Sequence, residues 1–233
     1  MSGSSFRIPV PRSPFGGVTR SRSVRISGRL LGGFVLLMVI GNAGIAGLSL
    51  LIRTLSPPAG VPAQVVGVNN LTLVDEHLWR GGAPSLDGYE SLRAAGVTTI
   101  VDLRAESTAA VLDPHIESLG LRVAHLPIRD GQTPSDAQVA QFVGEVESND
   151  GLVFVHCGAG VGRTGSMVGA YLVRSGQASG LQAVTANLGV GPPSLEQIAY
   201  TAALDRGEAD SPSAPLVLLS RILDAPRRFL SNL

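Results

Sequence analysis

The most constraining feature of this sequence is the segment from Val153 to Gly165, which reads VFVHCGAGVGRTG. A hydrophobic run ends there at Cys157, the only cysteine in 233 residues, and three glycines and an arginine follow. Glycines between a strand and a helix let successive backbone N–H groups converge on one point, where the helix N-terminus adds positive potential. The segment therefore predicts a strand, an anion-binding loop and a helix, in that order.

The residue types of this loop point to phosphate chemistry. The guanidinium group of Arg163 is a planar fork that can bind two phosphate oxygens at once. A positive field at a helix N-terminus also favours the thiolate form of Cys157, which is the nucleophilic form of a cysteine. An inert cysteine beside a glycine-rich turn is the structural alternative. The predicted phosphate-binding set is Gly158, Ala159, Gly160, Val161, Gly162 and Arg163.

The chain around this loop alternates between short β-rich runs and helical stretches, which predicts an α/β layer fold with a mainly parallel central sheet. In such sheets ligands bind beyond the carboxyl ends of the strands, where Cys157 is expected. Strands are predicted at 71–74, 98–103, 121–126 and 152–156. Helices are predicted at 86–95, 109–118, 134–147, 163–174, 181–188 and 194–206, the third with Thr133 as its cap and Asp136 in a capping box.

The N-terminal part of the chain differs in composition from the remainder. Residues 1–29 are rich in Ser, Gly, Pro and Arg and predict a disordered basic tail. Residues 30–52 then run for 23 positions without a charge. A helix of that length, rising about 1.5 Å per residue, crosses a hydrocarbon core of roughly 30 Å. The sequence therefore predicts one transmembrane helix at 30–52.

The charges that flank this helix predict its orientation. Six arginines precede the span and Arg53 follows it, so the N-terminus is expected in the cytoplasm and the catalytic domain outside it. A cleaved signal peptide is the alternative, with a small-residue site at 61–63, although its apolar region is normally only about 7 to 15 residues long. Small residues four positions apart, such as Ala43 and Gly47, would allow weak pairing of two copies.

The composition of the remainder of the chain argues against a nucleic-acid surface and a metal site. Seven of the 18 arginines lie at or before Arg53, which leaves 11 arginines against 18 acidic residues and no clustered basic surface for nucleic acid. One cysteine and four scattered histidines give no metal-ligand spacing, so neither a metal nor another cofactor is expected. Residues 53–69 are predicted as a linker, 70–206 as the catalytic domain, and 207–233 as an acidic linker and a C-terminal helix.

The loop from His156 to Gly165 resembles the signature of the cysteine-dependent protein tyrosine phosphatase superfamily: His-Cys, five residues, Arg, then Ser or Thr. It differs mainly at Gly158, where a serine is usual. The segment 78–85 is similar to the opening segment of atypical dual-specificity members, and 101–104 to their second strand. The resemblance implies a three-layer phosphatase-type fold over residues 70–206 and a two-step reaction through a phosphocysteine, without a metal.

The resemblance also implies roles for individual residues. Asp130, in the segment LPIRDGQTPS, corresponds to the general acid on a mobile loop, although an aspartate before Gly131 also suits a plain turn. Thr164 is expected to donate a hydrogen bond to the sulfur of Cys157, and His156 to order the loop from behind. Gln197 resembles the water-positioning glutamine only weakly and is left out of the catalytic set. Asp102, Asp113 and Asp136 suit the acid role less well, because of their predicted strand, helix and capping positions.

The expected substrate is a phosphate monoester. The first hypothesis is phosphotyrosine on proteins, with dual specificity. The alternative is an inositol phosphate or phosphoinositide, because some phytases share the AGVGRT core. Gly158, Ala159 and Val161 add no cation for a highly anionic substrate. A sulfurtransferase and an inactive phosphate-binding module are further alternatives. Arg163, Thr164 and the segment around Asp130 argue against both.

Overall fold

The computed structural model of the chain describes residues 22–57, 60, 65–106, 109–206 and 212–231. It divides the chain into two compact units, residues 1–37 and 38–233, and the boundary falls inside the first helix. The predictions for residues 1–21, for most of 58–64 and for 207–211 lie outside the described residues.

The first helix, α1, runs from Arg22 to Leu55. It begins inside the predicted basic tail and continues beyond Ile52, the predicted end of the apolar span. Its segment Gly32–Leu55 is long and apolar enough to cross a membrane, by length and composition, and most of its side chains are exposed.

A five-stranded mixed sheet forms the centre of the second unit. The strands are β1 (Thr72–Leu73), β2 (Leu78–Gly82), β3 (Val97–Arg104), β4 (Arg122–Ile128) and β5 (Leu152–Cys157), in the spatial order β1-β2-β5-β3-β4. The pairings β2 with β5, β5 with β3 and β3 with β4 are parallel, and edge strand β1 is antiparallel to β2. The predicted α/β class is therefore confirmed, with one antiparallel edge in the sheet.

Strand β2 is the strand of the described sheet that periodicity did not predict. All five of its residues are buried, so the apolar and polar alternation of a half-buried strand is absent. It also contains Gly81 and Gly82, which are poor strand formers. These glycines are needed because a side chain at Gly82 would lie 3.0 Å from the carbonyl oxygen of Gly158.

Helices cover both faces of the sheet. Along β5, Val153 and Val155 belong to one core cluster and Phe154 to another, as expected for side chains that alternate across a strand. The helices after α1 are α2 (Leu86–Ala94), α3 (Asp113–Ser118), α4 (Asp136–Glu147), α5 (Gly162–Arg174), α6 (Gly180–Val190), α7 (Leu195–Ala203) and α8 (Ala214–Ser231). The first cluster includes residues of α4 and α5, and the second includes residues of α2 and α3.

The start of α4 corrects a prediction. Ser135, not Thr133, is the N-cap: its side chain accepts from the backbone N–H of Gln138, and the Gln138 side chain accepts from the Ser135 N–H. Asp136 is the first helical residue and takes no part in this capping box. The cap lies later because Ser135 still has extended backbone angles, φ −80° and ψ 161°.

The part of α1 that belongs to the second unit packs on α6 and α8. Ser49, which is buried, donates a hydrogen bond of 2.6 Å to the carbonyl of Leu188. The amide of Asn42 donates to the carbonyl of Leu223 at 3.2 Å. Helix α8 itself packs on α7, where the hydroxyl of Ser220 accepts from the N–H of Glu196 at 3.0 Å.

We predict that Gly160→Ala destabilises the protein far more than Gly176→Ala. Both glycines have positive φ angles, 76° and 69°, so a side chain at either costs about 1 kcal/mol or more in backbone strain. A Cβ at Gly160 would also lie 2.3 Å from the carbonyl carbon of Gly81, whereas one at Gly176 meets nothing within 4 Å. This overpacking adds about 1 to 3 kcal/mol. Denaturant unfolding of the two variants measures the difference, and equal losses would contradict the contact of the loop with β2.

Candidate active site

The predicted phosphate loop lies at the carboxyl end of the middle strand. Strand β5 ends at Cys157, α5 begins at Gly162, and residues 158–161 connect them. Because β5 pairs with β2 on one side and β3 on the other, Cys157 lies at the position in the sheet where α/β proteins bind ligands. The predicted order of strand, loop and helix is confirmed.

Three successive carbonyl groups of the loop are bound from the side of β2. The hydrogen bonds run from Ala83 N–H to Gly158 O (2.9 Å), from Asn70 Nδ2 to Ala159 O (2.9 Å) and from Arg80 Nη2 to Gly160 O (2.8 Å). In a trans peptide the N–H points away from the C=O. The N–H groups of residues 159–161 are therefore directed to the opposite side, where they can surround a phosphate.

Arg80 is the buried support of this loop. Its side chain is 4% exposed, and Nη2 donates to the carbonyls of Gly160 and Val161 and, at 2.8 Å, to Oδ1 of Asn187. Burial lowers the pKa of Arg80 to about 10, although the charge of Cys157 opposes the shift. The guanidinium is therefore still charged at neutral pH and adds positive potential behind the cysteine.

Two helices fit against the loop through amide side chains that require glycines opposite them. A Cβ at Gly165 would lie 2.0 Å from the side chain of Asn187 on α6. A Cβ at Gly162 would lie 2.5 Å from Oε1 of Gln197 on α7. Gln197 is 1% exposed. Its side-chain oxygen accepts a hydrogen bond from the N–H of Ser194, and its side-chain nitrogen donates one to the carbonyl of Gln132 at 3.1 Å. These contacts give Gln197 a structural role.

Arg163 lies between two carboxylates. Its Nη1 donates to Glu106 Oε2 at 2.9 Å and to the carbonyl of Ile128 at 3.2 Å, and its Nη2 lies 3.5 Å from Asp130 Oδ1. The arginine is 4% exposed, whereas the two carboxylates are about two-fifths exposed, at 43% and 37%. A phosphate bound by the loop would therefore compete with Glu106 and Asp130 for the same guanidinium.

Burial and the neighbouring charges act in opposite directions on these groups. Burial disfavours the charged form of Arg163, but the hydrogen bond to Glu106 and the charges of Cys157 and Asp130 outweigh it and raise the pKa. For Glu106, burial is likewise outweighed by the hydrogen bond from Arg163, so its pKa is lowered. Both side chains are therefore charged at neutral pH.

Asp130 lies on a turn that is fixed to α7. Gly131 has a positive φ of 74°, and Gln132 closes the turn by donating to the carbonyl of Arg129 at 3.0 Å. The hydroxyl of Ser194 donates to the carbonyl of Gly131 at 3.3 Å. The sequence offered two interpretations of Asp130, a general acid and a plain turn residue. The structure gives it a turn position, and the same position lies beside Arg163.

The other aspartates considered for the acid role have structural partners. Asp102 is buried and accepts hydrogen bonds from both Nε and Nη2 of Arg104. These hydrogen bonds outweigh the effect of burial and lower the pKa of Asp102. Asp113 lies 2.7 Å from Nε2 of His125, and Asp136 lies 3.6 Å from Arg174. Asp130 is therefore the aspartate of this set that lies next to Arg163.

His156 is fully buried behind the loop. Its Nδ1 donates to the carbonyl of Cys157 at 3.1 Å, and its ring stacks on Phe154 at a centroid distance of 5.7 Å. Burial lowers its pKa, although the nearby Asp102 opposes the shift. A neutral, fixed imidazole agrees with the expected ordering role.

The hydroxyl of Thr164 is fully buried and has no hydrogen-bond partner among the described residues. The predicted bond to the sulfur of Cys157 is therefore not formed in the structure. The residue directly follows Arg163 in the first turn of α5, so its place beside the loop is as expected.

Four supporting residues escaped the sequence analysis: Asn70, Arg80, Glu106 and Asn187. Arg80 belongs to the segment that resembles other phosphatases, which was the one available signal. Within the described ranges, no group of three His, Cys, Asp or Glu side chains could hold a metal ion together.

Several known proteins are similar to this chain. A family model described as DSP-PTPase phosphatase fused to NAD+ kinase matches residues 65–202, more than half of the chain. The chain is 38% identical over 86 residues to the dual specificity protein phosphatase CDC14AB of Danio rerio, covering 37% of this chain and 14% of that protein. It is also 38% identical over 97 residues to the probable chloroplastic NAD kinase 2 of Oryza sativa subsp. japonica, covering 39% of this chain and 10% of that protein. The matches thus span a small part of these longer relatives.

Solved structures share the fold at low sequence identity. The Pseudomonas aeruginosa protein TpbA, solved in complex with pTyr, gives a TM-score of 0.51 at 20% identity and covers 71% of this chain and 97% of its own. PTPMT1, solved in complex with PI(5)P, gives a TM-score of 0.52 at 18% identity, covering 60% of this chain and 96% of its own. Both structures share the fold of this chain. Because the family model matches residues 65–202, the chain belongs to the cysteine-dependent protein tyrosine phosphatase superfamily, within a family of DSP-PTPase domains.

Proposed function

We propose that the protein hydrolyses phosphotyrosine, with dual specificity, on proteins through a phosphocysteine intermediate. The observation that carries the proposal is that a nucleophile and a phosphate cradle share one loop and that a carboxylate from a separate turn lies beside it. Cys157 begins the loop, Arg163 ends it, and Asp130 lies 3.5 Å from that arginine. The arrangement supplies each group that the reaction needs.

In the first step the thiolate of Cys157 attacks the phosphorus atom, and the bond between phosphorus and the ester oxygen breaks. The leaving oxygen takes a proton from the carboxyl group of Asp130, which acts as the general acid. The backbone N–H groups of residues 158–162 and the fork of Arg163 bind the phosphoryl oxygens as their charge redistributes.

In the second step a water molecule attacks the phosphorus atom of the phosphocysteine. Asp130, now a carboxylate, takes a proton from this water, and the S–P bond breaks to return the thiolate and release phosphate. Thr164 is proposed to stabilise the leaving sulfur with its hydroxyl, which has no other partner among the described side chains. His156 orders the loop through its bond to the Cys157 carbonyl.

The charges around the loop favour a substrate with a single phosphate. Gly158, Ala159 and Val161 carry no charge, and Glu106 and Asp130 add two partly exposed carboxylates beside Arg163. A substrate with several phosphates would bring additional negative charge toward these carboxylates. A phosphotyrosine side chain brings one phosphate on a neutral ring. TpbA, which shares the fold, was solved with pTyr.

A phosphoinositide or inositol phosphate is the second candidate substrate. PTPMT1, which also shares the fold, was solved with PI(5)P. A membrane-anchored domain would in addition lie close to lipid head groups. The two candidates differ in whether hydrolysis requires a protein side chain or an inositol ring.

We also propose that α1 is an uncleaved anchor that crosses the membrane through residues 30–52. The length and apolar composition of Gly32–Leu55 support a span. The excess of arginines before the span favours a cytoplasmic N-terminus and a catalytic domain outside the cytoplasm.

Full-length protein in detergent micelles is predicted to release phosphate faster from a phosphotyrosine peptide than from a phosphoserine peptide, inositol hexakisphosphate or a short-chain phosphatidylinositol phosphate. Cys157→Ser is the blank and should reduce release to the uncatalysed level, because the nucleophile is lost. Phosphate release at equal substrate concentration is the measurement. A preference for either inositol compound would replace the protein substrate, and unchanged turnover in Cys157→Ser would refute the covalent mechanism.

Asp130→Asn is expected to lower kcat by about 10²- to 10⁴-fold for a substrate with a poor leaving group and to remove the limb of the pH profile that reports the acid. The matched control is Glu106→Gln, which also removes a negative charge beside Arg163 but should keep that limb. The pH dependence of kcat for wild type and both variants is measured. An unaltered profile in Asp130→Asn, or loss of the limb in Glu106→Gln, would assign the acid to another carboxylate.

The orientation is tested with reporters fused after Leu233. A reporter that works only outside the cytoplasm should be active, and one that works only inside should be silent, because the arginine-rich end remains in the cytoplasm. The mass of the mature protein distinguishes an anchor from a cleaved signal peptide. The opposite reporter pattern would reverse the topology.

A further inference from the structure

A cavity of about 560 Å³ lies behind the phosphate loop, on the side away from the predicted substrate. Helices α5 and α6 form two of its walls, and strand β1 forms a third. Ser56 and Pro57, which directly follow α1, also line it. The volume lies within the roughly 300 to 1,000 Å³ range of small-molecule sites.

The cavity is mostly apolar and contains one charge. Leu73, Val168, Leu172 and Val190 are among the side chains that line it, and Arg80 is the one charged residue among the described lining residues. A ligand that fits this wall must therefore be largely apolar, with a negative group at one place.

The guanidinium group of Arg80 is only partly used by the protein. All of its described hydrogen bonds leave from Nη2, to two carbonyls of the phosphate loop and to Asn187. Its Nε has no partner among the described residues, although the side chain is 96% buried. A buried cation without a full set of partners is costly, and a carboxylate is a strong partner for such a group.

We propose that this cavity binds an amphiphile with one carboxylate and an unbranched apolar body, a ligand of the fatty-acid class. The carboxylate pairs with Arg80, and the apolar body lies along the wall formed by α5 and α6. A neutral apolar ligand would leave Arg80 without its partner. A ligand with several charges would have to bury the additional ones against apolar side chains.

The position of the cavity provides a source for such a ligand. Ser56 and Pro57 line it immediately after Leu55, where the apolar helix α1 ends. The walls formed by α5, α6 and β1 do not include α1 itself, so an α1 anchored in a bilayer would hold them beside the lipid in which fatty acids dissolve. Neither the site nor its test depends on which phosphate ester the enzyme hydrolyses.

Occupation of the cavity bears directly on the catalytic loop. The same guanidinium that would pair with the carboxylate binds the carbonyls of Gly160 and Val161, and Gly165 of α5 lines the cavity. A shift of Arg80 toward the ligand would alter the loop that holds phosphate. The affinities for fatty acid and phosphate are then coupled, and by linkage each ligand changes the affinity of the other by the same factor.

The test uses full-length protein in a maltoside detergent and a dodecanoic acid with a terminal diazirine, compared with the matching alcohol. After irradiation, peptide mass spectrometry locates the adducts. Ala186→Phe narrows the cavity from α6, and Ala140→Phe on the exposed face of α4 is the matched control. Thr185→Phe is a second cavity variant, used if circular dichroism shows that Ala186→Phe does not fold.

The acid is expected to label peptides of α5 and α6 about tenfold more than the alcohol. Ala186→Phe should remove most of this labelling, and Ala140→Phe should not. Arg80→Met should lower labelling by the acid to the level of labelling by the alcohol. Equal labelling by acid and alcohol would overturn the proposal. Labelling confined to α1, or labelling that neither cavity variant reduces, would overturn it as well.

Discussion

The hydrogen bonds from one buried guanidinium to the phosphate loop are the interaction on which the site depends. Arg80 comes from β2, and through Nη2 it joins that strand to the carbonyls of Gly160 and Val161 and to Asn187 of α6. The contact requires the loop to approach β2 so closely that Gly160 has no room for a side chain. By binding the carbonyl side of the loop, Arg80 leaves the N–H side to the phosphate.

The two buried arginines on either side of the loop have different surroundings. Arg80 has carbonyl and amide oxygens around it, so its charge is not neutralised by an aspartate or glutamate. Arg163 has Glu106 and Asp130 within 3.5 Å and is held before any substrate arrives. The first arginine therefore gives the loop a permanent positive potential, whereas the second would have to exchange carboxylate partners for phosphate oxygens in the proposed reaction.

Local patterns predicted much of the fold, and long-range contacts account for most of what they missed. Strands β3, β4 and β5 and the helices around them follow from periodicity, and the loop from Cys157 to Arg163 is a continuous segment. Strand β2 was missed because all of its residues are buried and two are glycines. Glu106 lies 57 positions before Arg163, and Arg80 lies 80 positions before Gly160, so no spacing rule connects them. The predicted cap of α4 was wrong because two residues that can cap a helix, Thr133 and Ser135, lie two positions apart before that helix.

The part of α1 that belongs to the second unit presents one face to α6 and α8. Its less exposed positions are spaced by three or four residues and lie along a single stripe, which consists of Met38, Gly41, Ile45, Ser49 and Ile52. That stripe cannot be covered by α6 and α8 and by lipid at the same time. If α1 were fully inserted in a membrane, as proposed, it would lose these contacts together with whatever free energy docking contributes. A bilayer would then act as a competitor of the domain for its own first helix.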